Sequence, residues 1–434
     1  MAPYNESVSA SDSESPFVLS RAEHPVSRSN IDINAIKVLY RLHHGGYKSY
    51  MVGGAVRDLM LGRRPKDFDV STSARPQQVR RLFRNSRIIG RRFRLAHIYF
   101  RDGIVEVSTF RRDPDPESQR GGQSELLITD DNVFGSPEED AYRRDFTINA
   151  LFYDISDYSV IDWVGGVEDL RSRQIRAIGD AAVRFQEDPV RMLRACELAG
   201  RLDFEIEQSA QAAIRAHGHE VEKAAPARLT EEICDLLRSG SSDSILEWMM
   251  RLGLLEVFLP EAYLVLSAGE HGAGEFESIP SIIDEMVGED VELSDAVAFG
   301  AILLPSVLLR RRDVEAVNQR PIHRTALREL TGEVLEPFVT RFALSRVRTD
   351  QLHNAIWAFQ RFAERWKSVA DRIRFAGHPG FDDALSLLEI MVRATGEGGA
   401  NLDLWREIQA KRPEKPARPR VRKPRPRRRR RRRR

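Results

Sequence analysis

The spacing of hydrophobic residues divides this chain into a mixed first part and a helical second part. Up to about residue 155, apolar positions switch between helical spacing and the every-second-residue spacing of strands. In order, the pattern predicts a helix from Ile31 that ends at Gly45-Gly46, a strand at 47–52, a short helix to Leu61, a strand at 67–71, a helix at 75–83, β-rich runs at 88–100 and 104–110, and a strand at 146–151.

Beyond Ile155 the periodicity becomes that of helices. They are predicted at 189–201, 208–217, 228–238, 243–252, 293–311, 322–332, 348–367 and 381–395. We therefore expect an α+β fold, in which a head with a mixed sheet precedes an all-helical neck and body. The expected divisions are a disordered start (1–30), the head (31–155), the neck (156–260), the body (261–410) and a disordered tail (411–434).

The near-neutral charge of the chain conceals a strong asymmetry. Residues 411–434 hold thirteen Arg, three Lys and one Glu, a net +15, so the preceding 410 residues carry −13 against a total of +2. Such a tail binds polyanions through counterion release, and its run of arginines includes Arg427, Arg428, Arg429 and Arg430. RNA is the expected partner, a targeting or solvating tail is the alternative, and RNA-decay factors are possible further partners.

Composition places the chain among globular proteins of the cytoplasm. No apolar run is long enough to cross a membrane, and the acidic, Ser-rich start lacks the apolar core of a secretory signal. Cys196 and Cys234 lie in helical patterns without metal-ligand spacing, so buried thiols are expected. Residues 112–139 are polar and without period, which favours a mobile loop that covers a substrate.

Two carboxylates on alternate strand positions are the first candidate for chemistry. Asp67 and Asp69 would share one face while Phe68 and Val70 point into a core. Carboxylates placed in this way hold the pair of Mg²⁺ ions used in phosphoryl transfer. An Asp-x-Asp pair by itself is common in solvated turns and helix caps, so its context decides the interpretation.

A third acid lies on the second β-rich run. Glu106 is the only acid on its face of the strand predicted at 104–110. It completes a carboxylate cluster if that strand lies beside Asp67 and Asp69; otherwise it is a surface residue, and spacing leaves both open.

The context of the aspartates is a glycine turn nine residues upstream. Gly53-Gly54-Ala55-Val56-Arg57-Asp58 offers close backbone approach, free N–H groups and a forked cation, which a triphosphate requires. Together with Asp67-Phe68-Asp69-Val70, this segment resembles the signature of the class II nucleotidyltransferases, the family of bacterial poly(A) polymerases and CCA-adding enzymes. The resemblance implies a nucleotidyltransferase head that binds ATP through Gly53, Gly54, Arg57 and Asp58, with a metal on Asp67 and Asp69.

Further motifs extend that resemblance. Arg143-Arg144-Asp145 suits phosphate and ribose, although exposed ion pairs are the local alternative; the family likeness adds Asp145 to the catalytic acids. Glu187-Asp188-Pro189-Val190-Arg191 opens a helix, where capping is the simple explanation, but Asp188 and Arg191 stand on one face and could read a base edge. It resembles the family's base-selecting motif, and Glu187 and Arg194 are assigned to the same ATP site. Ala227-Arg228-Leu229 resembles a motif that steadies this helix.

Two activities share these motifs, and other segments separate them. The stretch 88–98, with Arg91, Arg92 and Arg94, is similar to the segment of bacterial poly(A) polymerases, where it would steady RNA; a solvated strand edge is the alternative. Residues 118–121, His378-Pro379-Gly380-Phe381 and the basic tail resemble the same enzymes. The sequence therefore predicts template-independent polyadenylation of RNA 3′ ends with ATP and Mg²⁺. A CCA-adding tRNA nucleotidyltransferase and a non-catalytic RNA-binding protein are the alternatives.

Overall fold

The architecture is given by a computed structural model that describes residues 15–90, 94–112, 133–267 and 274–412. Its head is built on a single large mixed sheet. Within the described ranges, the strands are β1 (Phe17–Leu19), β2 (Ser49–Val52), β3 (Asp69–Thr72), β4 (Ser86–Ile89), β5 (Leu95–Tyr99), β6 (Ile104–Thr109), β7 (Leu151–Asp154), β8 (Val160–Asp162), β9 (Gln174–Ile175) and β10 (Glu205–Ile206).

The sheet brings together strands that are distant in sequence. The first eight strands follow the order β1-β8-β7-β2-β3-β6-β5-β4. β3 and β6 run parallel, with Val70 opposite Val107, whereas the other pairs in this sheet are antiparallel. β2 lies at the centre and all four of its side chains are buried. The edge of the sheet where β2 ends and β3 begins therefore lies in the middle of the head.

Short helices connect and cover the strands of the head. They are α1 (Ile33–His44), α2 (Gly54–Met60), α3 (Pro76–Leu82), α4 (Pro137–Tyr142) and α5 (Gly166–Ser172). Asp32 caps α1 by accepting from the N–H groups of Asn34 and Ala35, and Gly45 ends it as predicted. α2 begins directly where β2 ends, so its first turn lies at the central edge of the sheet.

The neck and body are helical apart from the short strands β9 and β10. Their helices are α6 (Ala181–Glu187), α7 (Val190–Leu202), α8 (Gln208–His217), α9 (Pro226–Leu237), α10 (Ser242–Arg251), α11 (Leu254–Phe258), α12 (Pro260–Leu266), α13 (Ile279–Gly288), α14 (Asp295–Asn318), α15 (Arg324–Arg341), α16 (Arg346–Arg361), α17 (Val369–Phe375), α18 (Phe381–Thr395) and α19 (Gly399–Ala410). One hydrophobic core runs from Leu19 in the head to Met391 in the body, and a second, aromatic core surrounds Trp405.

The α+β fold predicted from the sequence is confirmed, and all eight helices predicted beyond residue 155 are present. Two of them are longer than predicted: α14 continues to Asn318, and α15 continues to Arg341 although Pro337 lies inside it. The pattern missed several helices, among them α6, α17 and α19, because they are short or weakly periodic.

Four predicted segments need correction. The run 88–100 is not one strand, since Gly90 turns the chain at φ +86° and β4 pairs back on β5. The strand predicted at 146–151 begins only at Leu151, after a 3-10 turn at Thr147–Asn149. The strand predicted at 67–71 begins at Asp69, because β2 ends at Val52 and offers Asp67 no partner. Residues 17–19 lie in the predicted disordered start but form β1 against β8.

Close packing of two neck helices makes a stability prediction. A Cβ on Gly200 of α7 would lie 2.6 Å from Cγ1 and 2.8 Å from N of Ile245 in α10. Gly200→Ala should therefore lower the free energy of unfolding by about 1–3 kcal/mol, although Ala normally favours a helix over Gly by about 1 kcal/mol. Gly288→Ala is the matched control, because nothing lies within 4 Å of its Cβ position. Urea unfolding of both variants measures the difference, and equal midpoints would contradict the packing.

Candidate active site

A deep cleft of about 920 Å³ lies between the central edge of the sheet and the helices of the neck. It gathers residues from the glycine turn, the strand aspartates and the first helices of the neck. Most residues predicted for the site line it: Gly53, Gly54, Arg57, Asp58, Asp67, Asp69, Arg143, Arg144, Asp145, Asp188, Arg191 and Arg194. The motifs separated by more than a hundred residues in sequence thus form one site.

The two aspartates lie at the mouth of the cleft, at the start of β3. Both are exposed to solvent through the open mouth, yet protein surrounds Asp69 on several sides. This burial, followed by the negative charge of Glu106, raises the pKa of Asp69 to about 6, and Asp67 adds to the effect while Arg144 opposes it. Carboxylates in this arrangement repel one another and favour a cation between them.

Glu106 is the nearest further acid to this pair. β6 lies parallel to β3, and continuing the register from Val70 and Val107 by one residue sets Glu106 opposite Asp69. Its carboxylate also meets the ring of His97, with 3.0 Å between Oε1 and Nε2. The strand placement that would complete a carboxylate cluster is therefore present. Among the described residues, however, no three such side chains are close enough to hold a metal ion by themselves.

The glycine turn needs glycine for two reasons. Gly53 has φ +74°, a left-handed conformation that other residues rarely adopt, and a Cβ there would lie 3.2 Å from Nη1 of Arg144. Gly53 to Ala55 line the cleft at the start of α2. The first N–H groups of a helix have no partners within the helix, so this turn offers donors to an anion.

The side chain of Arg144 lies against the glycine turn. Its guanidinium donates to the carbonyl of Asn149 at 3.3 Å and to Asp140 at 3.0 Å, and it lies 5.1 Å from the ring centre of Phe152. These contacts hold the guanidinium of Arg144, and with it a positive charge, beside Gly53.

Arg57 and Asp58 are bound to each other rather than exposed to a ligand. Both are buried, Nε of Arg57 donates to Asp58 at 2.8 Å, and its Nη1 donates to Oδ1 of Asn149 at 2.6 Å. This guanidinium joins α2 to Asn149, which lies in the turn before β7. Arg57 lines the cleft, but its guanidinium is bound to protein partners, which the sequence motif did not predict.

Asp145 lines the cleft with both carboxylate oxygens engaged. Oδ1 accepts from the N–H of Phe146 at 2.8 Å and from Asn149 at 3.1 Å, and Oδ2 accepts from Arg194 at 2.8 Å. Burial alone would raise the pKa of Asp145, but Arg194 and the two hydrogen bonds outweigh it and hold that pKa at about 2. Asp145 therefore joins head to neck as a permanent anion.

Asp188 and Arg191, which the sequence predicted to hold each other and read a base edge, do not bind each other. Asp188 binds Arg228 of α9 through two parallel hydrogen bonds of 2.7 and 3.0 Å, instead of binding Arg191. Arg191 donates to the carbonyl of Arg184 at 3.1 Å and reaches Glu187 at 3.4 Å. Both side chains still face the cleft, each held by a different partner, because α9 packs across the start of α7.

Several cleft residues were not assigned to the site from the sequence. They include Arg111, Asn149, Glu197, Arg201, Arg228, Glu232, Asp235 and Arg238. Glu197 is paired with Arg201 at 2.9 Å, so the acid found where a basic residue was expected has a local partner. Arg228 was recognised only as part of a helix-steadying motif. Asn149 is buried and bonds both Arg57 and Arg144. The sequence signal for it was a single Asn in the largely apolar run 146–151.

The remaining predicted positions are elsewhere. Glu187 does not line the cleft, and its carboxylate binds Arg184 and Arg191. Arg94 is exposed and precedes β5 rather than lying in a strand. Arg91, Arg92 and the tail arginines Arg427 to Arg430 lie outside the described residues, as do residues 113–132 of the covering loop predicted at 112–139. The end of that predicted loop is wrong, because α4 begins within it at Pro137, capped by Ser136. Within the part of the chain that is described, no helix is long and apolar enough to cross a membrane.

Comparisons with known proteins cover almost the whole chain. Three family models match in order: "Poly A polymerase head domain" at residues 49–176, "Probable RNA and SrmB- binding site of polymerase A" at 203–264, and "Polymerase A arginine-rich C-terminus" at 319–434. Poly(A) polymerase I of Salmonella typhi is 38% identical over 91% of this chain and 86% of its own. That of Haemophilus influenzae is 36% identical over 90% and 88%.

CCA-adding enzymes are more distant relatives. That of Bacillus pumilus is 36% identical, but over only 51% of this chain and 54% of its own. Among solved structures, the Bacillus stearothermophilus CCA-adding enzyme in complex with CTP has a TM-score of 0.57 at 25% identity and covers 87% of this chain and 82% of its own. An apo tRNA-processing enzyme shares the fold, with a TM-score of 0.59 at 23% identity over 88% and 92%.

The acid cluster in the cleft makes a prediction about pH. Burial raises the pKa of Glu232 to about 7, and Glu197 adds to the effect while Arg194 opposes it. At Glu232 the folded chain thus holds a proton that the unfolded chain releases, so the contribution of this residue to stability falls as the pH rises from about 4.5 to about 7 and is then constant. Glu232→Gln should raise the free energy of unfolding by roughly 1–3 kcal/mol above pH 7, and by less in acid.

Urea unfolding at about pH 5 and about pH 8 measures this difference. Glu231→Gln is the control, since Glu231 is the adjacent residue of α9 and is exposed. If Glu232→Gln and Glu231→Gln had equal effects at both pH values, Glu232 would titrate normally.

Proposed function

The chain belongs to the bacterial poly(A) polymerase family and is a polynucleotide adenylyltransferase, and we propose that the central cleft performs its reaction without a template. In that reaction the RNA 3′-oxygen attacks the α-phosphorus of ATP. The new bond joins that oxygen to AMP, while the bond to the bridging oxygen breaks and pyrophosphate leaves. The observation that carries the assignment is one cleft that contains a carboxylate pair, an anion-binding turn and a fixed Asp–Arg array.

Asp67 and Asp69 are proposed as the metal ligands. Burial and then the negative charge of Glu106 raise the pKa of Asp69, more than the nearby Arg144 lowers it. Two carboxylates together with phosphate and water oxygens suit Mg²⁺. When bound, Mg²⁺ would supply Lewis-acid activation of the hydroxyl and neutralise the leaving group. Asp145 has no oxygen to spare, so Glu106 is the better candidate for a third carboxylate, turning from His97 toward Asp69.

The triphosphate is proposed to lie on the Gly53–Gly54 turn. The N–H groups at the start of α2 would donate to its oxygens, and Arg144 would provide the positive charge beneath. Arg57 would act indirectly, because its guanidinium is hydrogen-bonded to Asp58 and Asn149. Arg143, which also lines the cleft, is proposed to bind phosphate from the other side.

Asp188 and Arg191 are proposed to read the base, each oriented by its own partner. A carboxylate accepts from an exocyclic amine, and an arginine donates to a ring nitrogen acceptor. Adenine and cytosine both present an amine beside such an acceptor, whereas guanine and uracil present the reverse pattern. The pair therefore selects against guanine and uracil, and the choice of adenine over cytosine falls to the shape of the cleft.

The arginine tail is proposed to hold RNA by charge alone. Its sixteen Arg and Lys residues with one Glu would release counterions from any RNA sequence, as a homopolymer-extending enzyme requires. RNA-decay factors are proposed as further partners of this segment.

Loss of the carboxylates tests the proposed chemistry. Asp67→Ala combined with Asp69→Ala should lower the rate of oligonucleotide extension with ATP and Mg²⁺ at least about 10³-fold, since several kcal/mol of charge stabilisation disappear. Glu106→Gln should lower the rate with little change in the KM for ATP. Asp403→Asn, on the exposed face of α19, is the control. Extension by the double variant at the unaltered rate would refute the assignment.

Nucleotide preference tests the base-reading pair. Asp188→Asn should lower the ratio of ATP to GTP incorporation by about 10- to 100-fold, because an unpaired polar group in a cleft costs about 1–3 kcal/mol. The ratio of ATP to CTP should change little. Asp203→Asn is the charge-matched control, at an exposed position just after α7. Incorporation of CTP, two residues at a time and only on trimmed tRNA, would instead favour a CCA-adding activity.

A further inference from the structure

A second concavity, of about 540 Å³, lies in the body at the far end of α16. We call it the body pocket, and it is formed by the end of α16, by α17 and by the turn that follows α17. No residue of the central cleft lines it.

Aromatic rings form the wall of the body pocket. Trp357 and His378 lie 4.9 Å apart at an angle of 35°, and Trp366 and Phe375 lie 4.8 Å apart at 35°. Both tryptophans are only half-buried. Arg361 lies over three of the rings, at 4.9 Å from Trp357, 4.6 Å from Trp366 and 5.0 Å from Phe375. Flat aromatic and guanidinium surfaces of this kind are the surfaces on which unpaired bases stack.

The rim of the pocket is positively charged. Arg324 and Arg361 share the carboxylate of Glu364, and Arg374 is 3.3 Å from Asp371. Arg365 and Lys367 are exposed on the same rim, and neither has a carboxylate partner among the described residues. Two uncompensated cations beside a stacking wall match a phosphate next to a base.

A structural path connects the body pocket with the central cleft. Arg238, at the end of the cleft, binds Asp295 of α14, and Asp295 also accepts from Arg348 at 2.8 Å. Arg348 and Arg361 lie near opposite ends of α16, about 20 Å apart at the helical rise of 1.5 Å per residue. A strand leaving the cleft along α16 reaches the body pocket.

The chain also leaves the described body beside this pocket. Arg412, the last described residue, donates to the carbonyl of Ala376 at 3.0 Å, and Ala376 lies between two residues that line the pocket. The polybasic segment 413–434 is therefore attached at the rim.

We propose that the body pocket binds an unpaired nucleotide of the RNA substrate upstream of its 3′ end. The base stacks on the Trp357 and Trp366 wall, and the adjoining phosphate meets Arg365 and Lys367. The inference rests on the proposed function, since it takes the strand in the central cleft to be RNA. It adds a grip that depends on substrate length, because only an RNA that spans from cleft to pocket engages both.

The test compares short and long oligoadenylates on the full chain. Arg365→Glu combined with Lys367→Glu should weaken binding of the long RNA at least about 10-fold and reduce the salt slope by about 1.4, the loss of two single-strand phosphate contacts. Extension of the short primer with ATP should not change. Lys37→Glu is the control for Lys367→Glu, because Lys37 is exposed on α1 and lines neither cavity.

Stacking is measured separately by tryptophan fluorescence. Long RNA should quench the tryptophan fluorescence of the unaltered chain and of the Trp357→Phe variant, which keeps an aromatic ring. It should quench the fluorescence of the Trp357→Leu variant less, and the thermal stability of the variants should be unchanged. Unaltered long-RNA affinity in the double charge variant would overturn the inference, as would binding of oligoglutamate in place of RNA. Absence of short-primer extension by the unaltered chain would instead refute the proposed function.

Discussion

One buried amide joins the parts of the active site, and the rest of the arrangement depends on it. The side-chain amide of Asn149 accepts from Arg57 and donates to Asp145. The main-chain carbonyl of Asn149 accepts from Arg144. Through these bonds the anion-binding turn, the arginine beneath it and the anchor of the neck share one point. A buried amide with several partners is rigid because each alternative orientation leaves a polar group unsatisfied. Geometry in the cleft is thus set by a residue with no chemistry of its own.

The neck adds a second constraint through paired charges. Asp145 with Arg194 fixes α7 against the head, and Asp188 with Arg228 fixes α9 against the start of α7. Arg228 binds both oxygens of Asp188 through two parallel bonds, whereas Arg194 directs Nε and Nη2 to the single oxygen Oδ2 of Asp145. The cleft surfaces proposed to face the nucleotide are consequently preorganised by contacts within the protein.

Sequence patterns placed residues close together most directly where they belong to adjacent strands. Gly53 directly follows β2, and Asp69 begins β3, which pairs with β2, so both lie at the same edge of the sheet. The helical spacing expected for Asp188 and Arg191 does not apply, because Asp188 is extended and lies between α6 and α7, while Arg228 approaches it from α9. The same limit explains Arg57, whose pattern suggested a ligand contact but whose burial reflects Asn149, ninety-two residues away. Charge pairing between distant helices leaves no periodic signal.

Helix α9 connects the proposed nucleotide site with the body. Arg228, near its first turn, holds Asp188, and Arg238, just past its last turn, is tied through Asp295 to α16. Under the function proposed above, this single rigid helix would set the interval between the newly added nucleotide and the RNA held by the body. With that interval constant, the product strand would advance by one nucleotide in each cycle of addition, and the protein would serve as a stationary frame.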